Sequence, residues 1–123
     1  MKEVLKTETT VEQYEALLGT PQLVNMQFEQ LRNGKFHTFA VDENFNIFIS
    51  DKFHVHIAEQ QGINLDTTLI EGNLRIGTDG KIEIIFKTAV YQPVPGFKGS
   101  AEELARLQEA TKNKIESFIN GSR

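Results

Sequence analysis

The spacing of apolar residues predicts a series of short elements, and the first helix among them has the clearest boundaries. Its apolar face recurs at helical spacing and consists of Val11, Tyr14, Leu17 and Leu18. Thr10 and Gln13 have the spacing of a capping box, and Gly19 is a typical stop. These signals predict a helix over 10–18, preceded by a short strand over 3–8.

Patterns of period two predict antiparallel strands in the segment that follows. Residues 23–31 alternate well enough for a strand, and an Asn-Gly turn at 33–34 would lead into a second strand at 35–41. A turn at 42–45 then leads to a third strand at 46–50. Two hairpins in series would form an antiparallel meander.

The clearest hairpin lies over 69–86. We expect a three-residue loop at 78–80 with Gly80 in the left-handed conformation. The resulting register pairs Ile76 with Ile82, Leu74 with Ile84 and Arg75 with Glu83. In this register the two apolar pairs share one face, and Arg75 and Glu83 lie on the other.

A second capping box, formed by Ser100 and Glu103, predicts a helix over 100–120 that lies across the sheet. Its apolar stripe consists of Leu104, Leu107, Ile115, Phe118 and Ile119. The elements together predict an α+β fold: one domain over 1–123, with a mostly antiparallel sheet of four to six strands, two or three packed helices and a tail at 121–123.

Residues 51–61 fit two structures. As a helix, which we favour, the segment has Ser50 as its N-cap and Gly62 as its stop. As a strand, it would place His54 and His56 on one face. The strand would allow both histidines to bind zinc with a third ligand from a neighbouring strand. On a helix they lie about 200° apart and cannot share a metal, so we predict no metal site.

The amino-acid composition argues against several classes of function. The chain of 123 residues has no cysteine, which excludes disulfides and thiol chemistry and favours the cytoplasm. We expect no signal peptide and no membrane span, because its apolar runs are short. The net charge of −4 and the scattered basic residues argue against nucleic-acid binding, and the nine phenylalanines are expected to be core residues.

The residues best suited to phosphate chemistry occur in the order histidine, arginine, small polar loop. The segments FHVHI at 53–57, EGNLRI at 71–76 and KTAVYQP at 87–93 resemble the janus/ocnus family of small phosphohistidine phosphatases. The resemblance covers about residues 35–115 and leaves 1–30 as an N-terminal extension.

The resemblance implies a phosphatase that needs no metal or other cofactor. His54 would be the catalytic residue, and phosphate would be bound by Arg75, Thr88 and the backbone of Ala89 and Val90. The lysine of the family would correspond to Lys35, although a shift of two residues would put His37 there.

Two departures from the family pattern affect this interpretation. The glycine-rich turn of the family corresponds here to Glu71, Gly72, Asn73 and Leu74, which puts a carboxylate where an anion would approach. The loop glycine after the tyrosine is Gln92. Either change could prevent catalysis.

Three functions remain open at this point. The first is an enzyme that hydrolyses a phosphorylated small molecule or phosphoprotein. The second is a binding protein that sequesters a phosphorylated or nucleotide-like ligand without turnover, and the third is a small regulatory protein that inhibits a protein partner. Arg75 also has a purely structural interpretation, as the partner of Glu83 in an exposed ion pair that contributes about 0.5 kcal/mol.

Overall fold

The computed structural model describes residues 9–51, 62, 68–87 and 101–121. Within these ranges five strands form one sheet: β1 (Gln22–Val24), β2 (His37–Val41), β3 (Ile47–Ser50), β4 (Ile70–Ile76) and β5 (Ile82–Phe86). The helices are α1 (Val11–Leu17), a 3₁₀ helix (Phe28–Arg32) and α2 (Ala101–Gly121). The strand order is β1-β3-β2-β4-β5, and only the β1–β3 pair is parallel. The predicted α+β class and mostly antiparallel sheet are confirmed.

One face of the sheet carries the hydrophobic core. It contributes buried side chains from the three inner strands, namely Phe39, Val41, Ile47, Ile49, Ile70, Leu74 and Ile76. The two α-helices and Leu18, which follows α1 directly, complete the same cluster; the helical residues are Tyr14, Leu107, Ala110, Ile115 and Ile119. The apolar stripe predicted for the last helix is therefore confirmed, since its other two members, Leu104 and Phe118, pack against this cluster.

The register predicted for the β4–β5 hairpin is correct at every position. Ile76 lies opposite Ile82, Arg75 opposite Glu83 and Leu74 opposite Ile84. The loop at 78–80 closes with Gly80 at a φ of 86°. Alternation therefore places the charged residues of these two strands, Glu71, Arg75 and Glu83, on the face opposite the core.

The β2–β3 hairpin has the same kind of loop, with Phe45 in the place of the glycine. The Asp42 N–H donates to the Asn46 carbonyl at 3.0 Å, and Phe45 has a φ of 66°. A bulky residue in this conformation is strained. Two contacts offset the strain: the Phe45 ring lies 6.3 Å from that of Tyr14, and the Phe45 carbonyl accepts the Gly19 N–H at 3.0 Å.

The predicted strand over 23–31 is wrong beyond Val24. Asn25 has a φ of 57°, which breaks the extended chain, and the 3₁₀ helix follows. The reason is packing: Leu31 is fully buried and Phe28 contacts Phe118 edge-on at 5.5 Å. Residues three apart lie on the same side of a 3₁₀ helix but on opposite faces of a strand.

The Asn-Gly turn at 33–34 exists but does not form a hairpin. Gly34 has a φ of 83°, and the turn leads from the 3₁₀ helix into β2, whose neighbours are β3 and β4. β1 instead pairs in parallel with β3. Of the two predicted hairpins in series, only the second is correct.

The capping box predicted for α1 is confirmed. The Gln13 N–H donates to Thr10 Oγ1 at 3.1 Å, and the Thr10 N–H donates to Gln13 Oε1 at 2.8 Å. The strand predicted over 3–8, the segment 52–61 and Ser100 lie outside the described residues. No helix within the described ranges is long and apolar enough to cross a membrane.

Polar contacts join α1 to α2 around buried Tyr14. Arg106 Nε donates to the Thr9 carbonyl at 2.8 Å, and Asn113 Nδ2 donates to Glu15 Oε2 at 2.7 Å. Burial, reinforced by the charge of Glu103, raises the pKa of Tyr14 above its usual 10.0, and the hydrogen bond with Thr9 and the charge of Arg106 oppose this only in part. The folded protein therefore favours the neutral phenol.

We predict that Phe45→Gly is more stable than Phe45→Ala, although both are less stable than the wild type. Both changes remove the contact with the Tyr14 ring, but only glycine adopts the positive φ without strain. The difference in the free energy of unfolding between the two variants is expected to be about 1 kcal/mol. Urea denaturation measures it, and equal stabilities would contradict the proposed strain.

We also predict that Tyr14 makes stability depend on alkaline pH. Because the pKa of Tyr14 is higher in the folded state, the unfolded chain releases the phenolic proton at a lower pH than the folded protein does. The contribution of Tyr14 to the free energy of unfolding is therefore complete below pH 10.0 and is lost as the pH rises through the folded-state pKa. Urea denaturation of the wild type and Tyr14→Phe between about pH 8 and 11 isolates the effect. The decline should be shallower in the variant, and an unchanged slope would contradict this assignment.

Candidate functional site

Arg75 is the predicted ligand-binding residue for which the structure gives the most detail. It lies on β4, on the sheet face opposite the core, and its Nε and Nη2 both donate to Glu83 Oε1, at 3.0 and 2.5 Å. Its guanidinium lies over the Phe36 ring, 4.8 Å from the centroid. The structural alternative, a cross-strand ion pair with Glu83, is therefore confirmed.

This ion pair leaves the guanidinium accessible. The side chains of Arg75 and Glu83 are 38% and 51% exposed, so solvent screens their attraction, and such a pair contributes at most about 1 kcal/mol. An incoming oxyanion can reach the Arg75 guanidinium by displacing Glu83. The stacked Phe36 ring holds the guanidinium plane in place during this approach.

We call this surface the polar face; it is formed by the side chains of Phe36, Thr38, Glu71, Asn73, Arg75, Glu83, Ile85 and Lys87. Thr38 Oγ1 donates to Asn73 Oδ1 at a long 3.5 Å, and Lys87 Nζ lies 3.5 Å from Glu71 Oε1. Asn73 is two residues from Arg75 on one strand, about 7 Å away. Hydroxyl, amide, guanidinium and ammonium groups on one surface are suitable donors to a phosphate.

No described hydrogen bond or ion pair links Lys35 to Arg75. Lys35 is exposed in the turn before β2, and its backbone N–H donates to Asn33 Oδ1 at 2.9 Å. Among the described residues, no hydrogen bond or ion pair joins it to the polar face. Its predicted role in binding phosphate stays a prediction.

The other predicted site residues, His54, Thr88, Ala89 and Val90, lie outside the described residues. The last described residue before that loop is Lys87, whose backbone N–H donates to the Glu71 carbonyl at 2.9 Å. Lys87 therefore lies at one end of the polar face.

The structure also reveals a polar cluster around His37. Its side chain is completely buried, with Nε2 3.2 Å from Asn33 Oδ1 and Nδ1 3.4 Å from Asp51 Oδ1. The Asn33 oxygen also accepts the Lys35 N–H, so it is an acceptor and Nε2 carries a proton. Nδ1 has no hydrogen-bond partner within the described residues, although Asp51 Oδ1 lies 3.4 Å away.

His37 and the polar residues around it lie away from the candidate site. His37 lies on the core face, whereas Arg75 lies on the polar face. The described residues do not contain any group of three side chains that could hold a metal with it. The register of the β2–β3 hairpin is the signal from which the contact between His37 and Asp51 could have been found. Thr38 lies opposite Ser50, so the adjacent residues, His37 and Asp51, also lie across from each other.

The segment matched to the family's glycine-rich turn is a strand here. Gly72 lies in the middle of β4, opposite Phe39 on one side and Phe86 on the other, and these two rings meet edge-on at 5.6 Å. A Cβ on Gly72 would overlap the Ile85 carbonyl oxygen and lie 2.8 Å from Phe39 Cζ. This glycine therefore serves sheet packing rather than the approach of an anion.

Comparisons of the chain with protein-family models, with curated proteins and with solved structures gave no match. Membership of the janus/ocnus family therefore stays a prediction, based on the three segments at 53–57, 71–76 and 87–93. The chemistry of the candidate site follows from its own side chains.

We predict that Gly72→Ala destabilises the protein by about 2 to 3 kcal/mol, because the added methyl group must displace backbone as well as the Phe39 ring. Gly19→Ala is the matched control. Its Cβ would meet only Asn46 Oδ1, at 3.7 Å, so little change is expected. Urea denaturation measures both variants, and equal effects would show that the crowding at Gly72 is unimportant.

Proposed function

We propose that the protein binds phosphate or a phosphoester on the polar face, with Arg75 as the principal ligand. The observation that supports this best is the state of its guanidinium, which stacks on Phe36 and bonds to an exposed carboxylate. A phosphate can accept two hydrogen bonds from the same fork and carries more charge than Glu83.

The exchange of Glu83 for phosphate is energetically reasonable. Breaking the exposed ion pair costs at most about 1 kcal/mol, and charge-assisted hydrogen bonds to a phosphate offset this cost. Within the described residues the side chains of Thr38 and Asn73 form one long hydrogen bond of 3.5 Å, so their donors can turn toward a ligand without losing a strong described interaction.

In the catalytic form of this proposal the protein is a phosphohistidine phosphatase-like hydrolase. His54 acts as nucleophile or general base on the bound phosphoryl group, without a metal or another cofactor. Arg75, Lys35, the Thr88 hydroxyl and the backbone N–H groups of Ala89 and Val90 hold the phosphate oxygens. These roles rest on the family resemblance.

A second candidate is a regulatory protein that sequesters its ligand or inhibits a protein partner. The charge balance of the polar face favours this candidate. Glu83 neutralises Arg75, and Glu71 neutralises Lys87. Such a surface holds a free dianion weakly and suits a larger partner that rearranges the pairs. For either function we infer a cytoplasmic location and a phosphorylated small molecule or phosphoprotein, rather than nucleic acid, as partner.

The binding proposal predicts opposite effects for the two members of the ion pair. Glu83→Gln frees the guanidinium and should tighten the Kd for inorganic phosphate about threefold to tenfold. Arg75→Gln should abolish binding. Glu109→Gln, an exposed change of equal charge on α2, should have no effect. Isothermal titration calorimetry at low salt measures all four proteins, and absence of binding in both the wild type and Glu83→Gln would exclude the proposal.

Phosphohistidine then separates catalysis from sequestration. In a ³¹P NMR time course, release of phosphate by the wild type but not by His54→Ala supports the hydrolase. Binding without release supports sequestration. If neither occurs, inhibition of a protein partner is the remaining candidate.

A further inference from the structure

Strand β5 is an edge of the described sheet, and within the described residues it pairs with β4 alone. The Lys87 N–H donates to Glu71 on β4. Because backbone groups alternate along an antiparallel strand, the N–H and C=O groups of Ile84 and Phe86 point away from β4. This outer row of groups is a template for another strand.

The side chains of β5 on the polar face have an unusual arrangement around Ile85. This isoleucine is 53% exposed, and it is flanked two residues away by Glu83 on one side and Lys87 on the other. The side chains of Glu83 and Lys87 are themselves 51% and 62% exposed. If a second β5 strand runs antiparallel to this one with the two Ile85 residues opposite each other, Lys87 of one strand lies opposite Glu83 of the other.

We propose that β5 pairs antiparallel with β5 of a second copy of this chain, across a two-fold axis at Ile85. Each Glu83 then faces Lys87 of the other copy, and the exposed Ile85 faces its own counterpart. Ile84 lies opposite Phe86 of the second copy, so their outward backbone groups can exchange four hydrogen bonds over the whole interface.

Neighbouring charges extend this complementarity. Within each copy Lys87 lies 3.5 Å from Glu71, and Glu83 is bonded to Arg75. Across the interface these side chains form a row. It consists of Glu71 and Lys87 of one copy followed by Glu83 and Arg75 of the second copy, so that negative and positive charges alternate. The two-fold axis produces this row twice. Opposite charges on adjacent strands stabilise the pairing of those strands.

The charges also select the register. A two-fold axis at Ile84 would satisfy the backbone equally well, but it would place Glu83 opposite the apolar Ile85 and Lys81 opposite Lys87. Like charges directly opposite each other are unfavourable. Of these two axes, the one at Ile85 satisfies backbone and side chains together. The interface is small, so we expect a weak dimer whose population rises with concentration.

Two charge reversals and their mixture test the pairing. Glu83→Lys and Lys87→Glu each place like charges opposite each other twice, and each should weaken the dimer about tenfold or more. In an equimolar mixture the two variants present opposite charges at both positions, so a heterodimer should form. Sedimentation velocity over a concentration series, from micromolar to millimolar, measures the wild type, the two variants and their mixture.

The control is Lys81→Glu, which changes the net charge as Lys87→Glu does but lies beyond the segment that pairs. It should leave the dimer Kd unchanged, whereas a tighter dimer would indicate the axis at Ile84. A wild type that is monomeric at every concentration, or a dimer that neither charge reversal weakens, would overturn the proposal. Circular dichroism verifies that these surface variants fold.

A thiol at the two-fold axis tests the register directly. The chain has no cysteine, so Ile85→Cys introduces its only thiol. Facing residues at such a position have Cα atoms about 4.5 to 5.5 Å apart, a separation that a disulfide bridges. Mild oxidation should link Ile85→Cys into a covalent dimer but leave Glu83→Cys unlinked, because position 83 lies far from its own counterpart. The reverse result would exclude this axis.

Discussion

The contact between the Phe39 ring and Gly72 is the constraint on which the rest of the sheet depends. Gly72 has neighbours on both sides, and the space above its Cα is filled by Phe39, whose ring also meets Phe86. One contact thereby fixes the registers of β2, β4 and β5 together. A slip of one residue in β4 would turn Arg75 into the core and Leu74 into solvent.

The chemistry of the polar face follows from this register. Because Leu74 and Ile76 must face the core, Arg75 must face away from it, directly opposite Glu83. The same alternation leaves Ile85 exposed and puts Lys87 beside Glu71. The charged surface is thus a consequence of packing on the other side of the sheet, and its cations are available only in exchange for their carboxylate partners.

Short sequence motifs correctly predicted those elements whose structure depends on residues close to them in the sequence. The capping box of α1 and the left-handed Gly80 each specify a conformation within a few residues, and both predictions are confirmed. The alternation on either side of Gly80 then fixes the β4–β5 register, which is how the pairing of Arg75 with Glu83 could be predicted.

Other features depend on contacts between distant parts of the chain, which sequence patterns do not specify. The turn at Gly34 bends the chain but does not determine which strand pairs with β2. The fit of Phe28 against Phe118 produced a 3₁₀ helix where alternation predicted a strand. Phe45 occupies a position that favours glycine because its ring packs against Tyr14, a contact between α1 and the β2–β3 loop.

The two proposed roles of the polar face meet at Glu83. In the monomer this carboxylate is bonded to Arg75, and both of its hydrogen bonds within the described residues use Oε1. Pairing of β5 with a second copy would bring Lys87 to the same carboxylate, which can accept further bonds at its second oxygen. A phosphate on Arg75 would release Glu83 to that lysine. Ligand binding and strand pairing would therefore support each other through one side chain, and by linkage each would strengthen the other by the same factor.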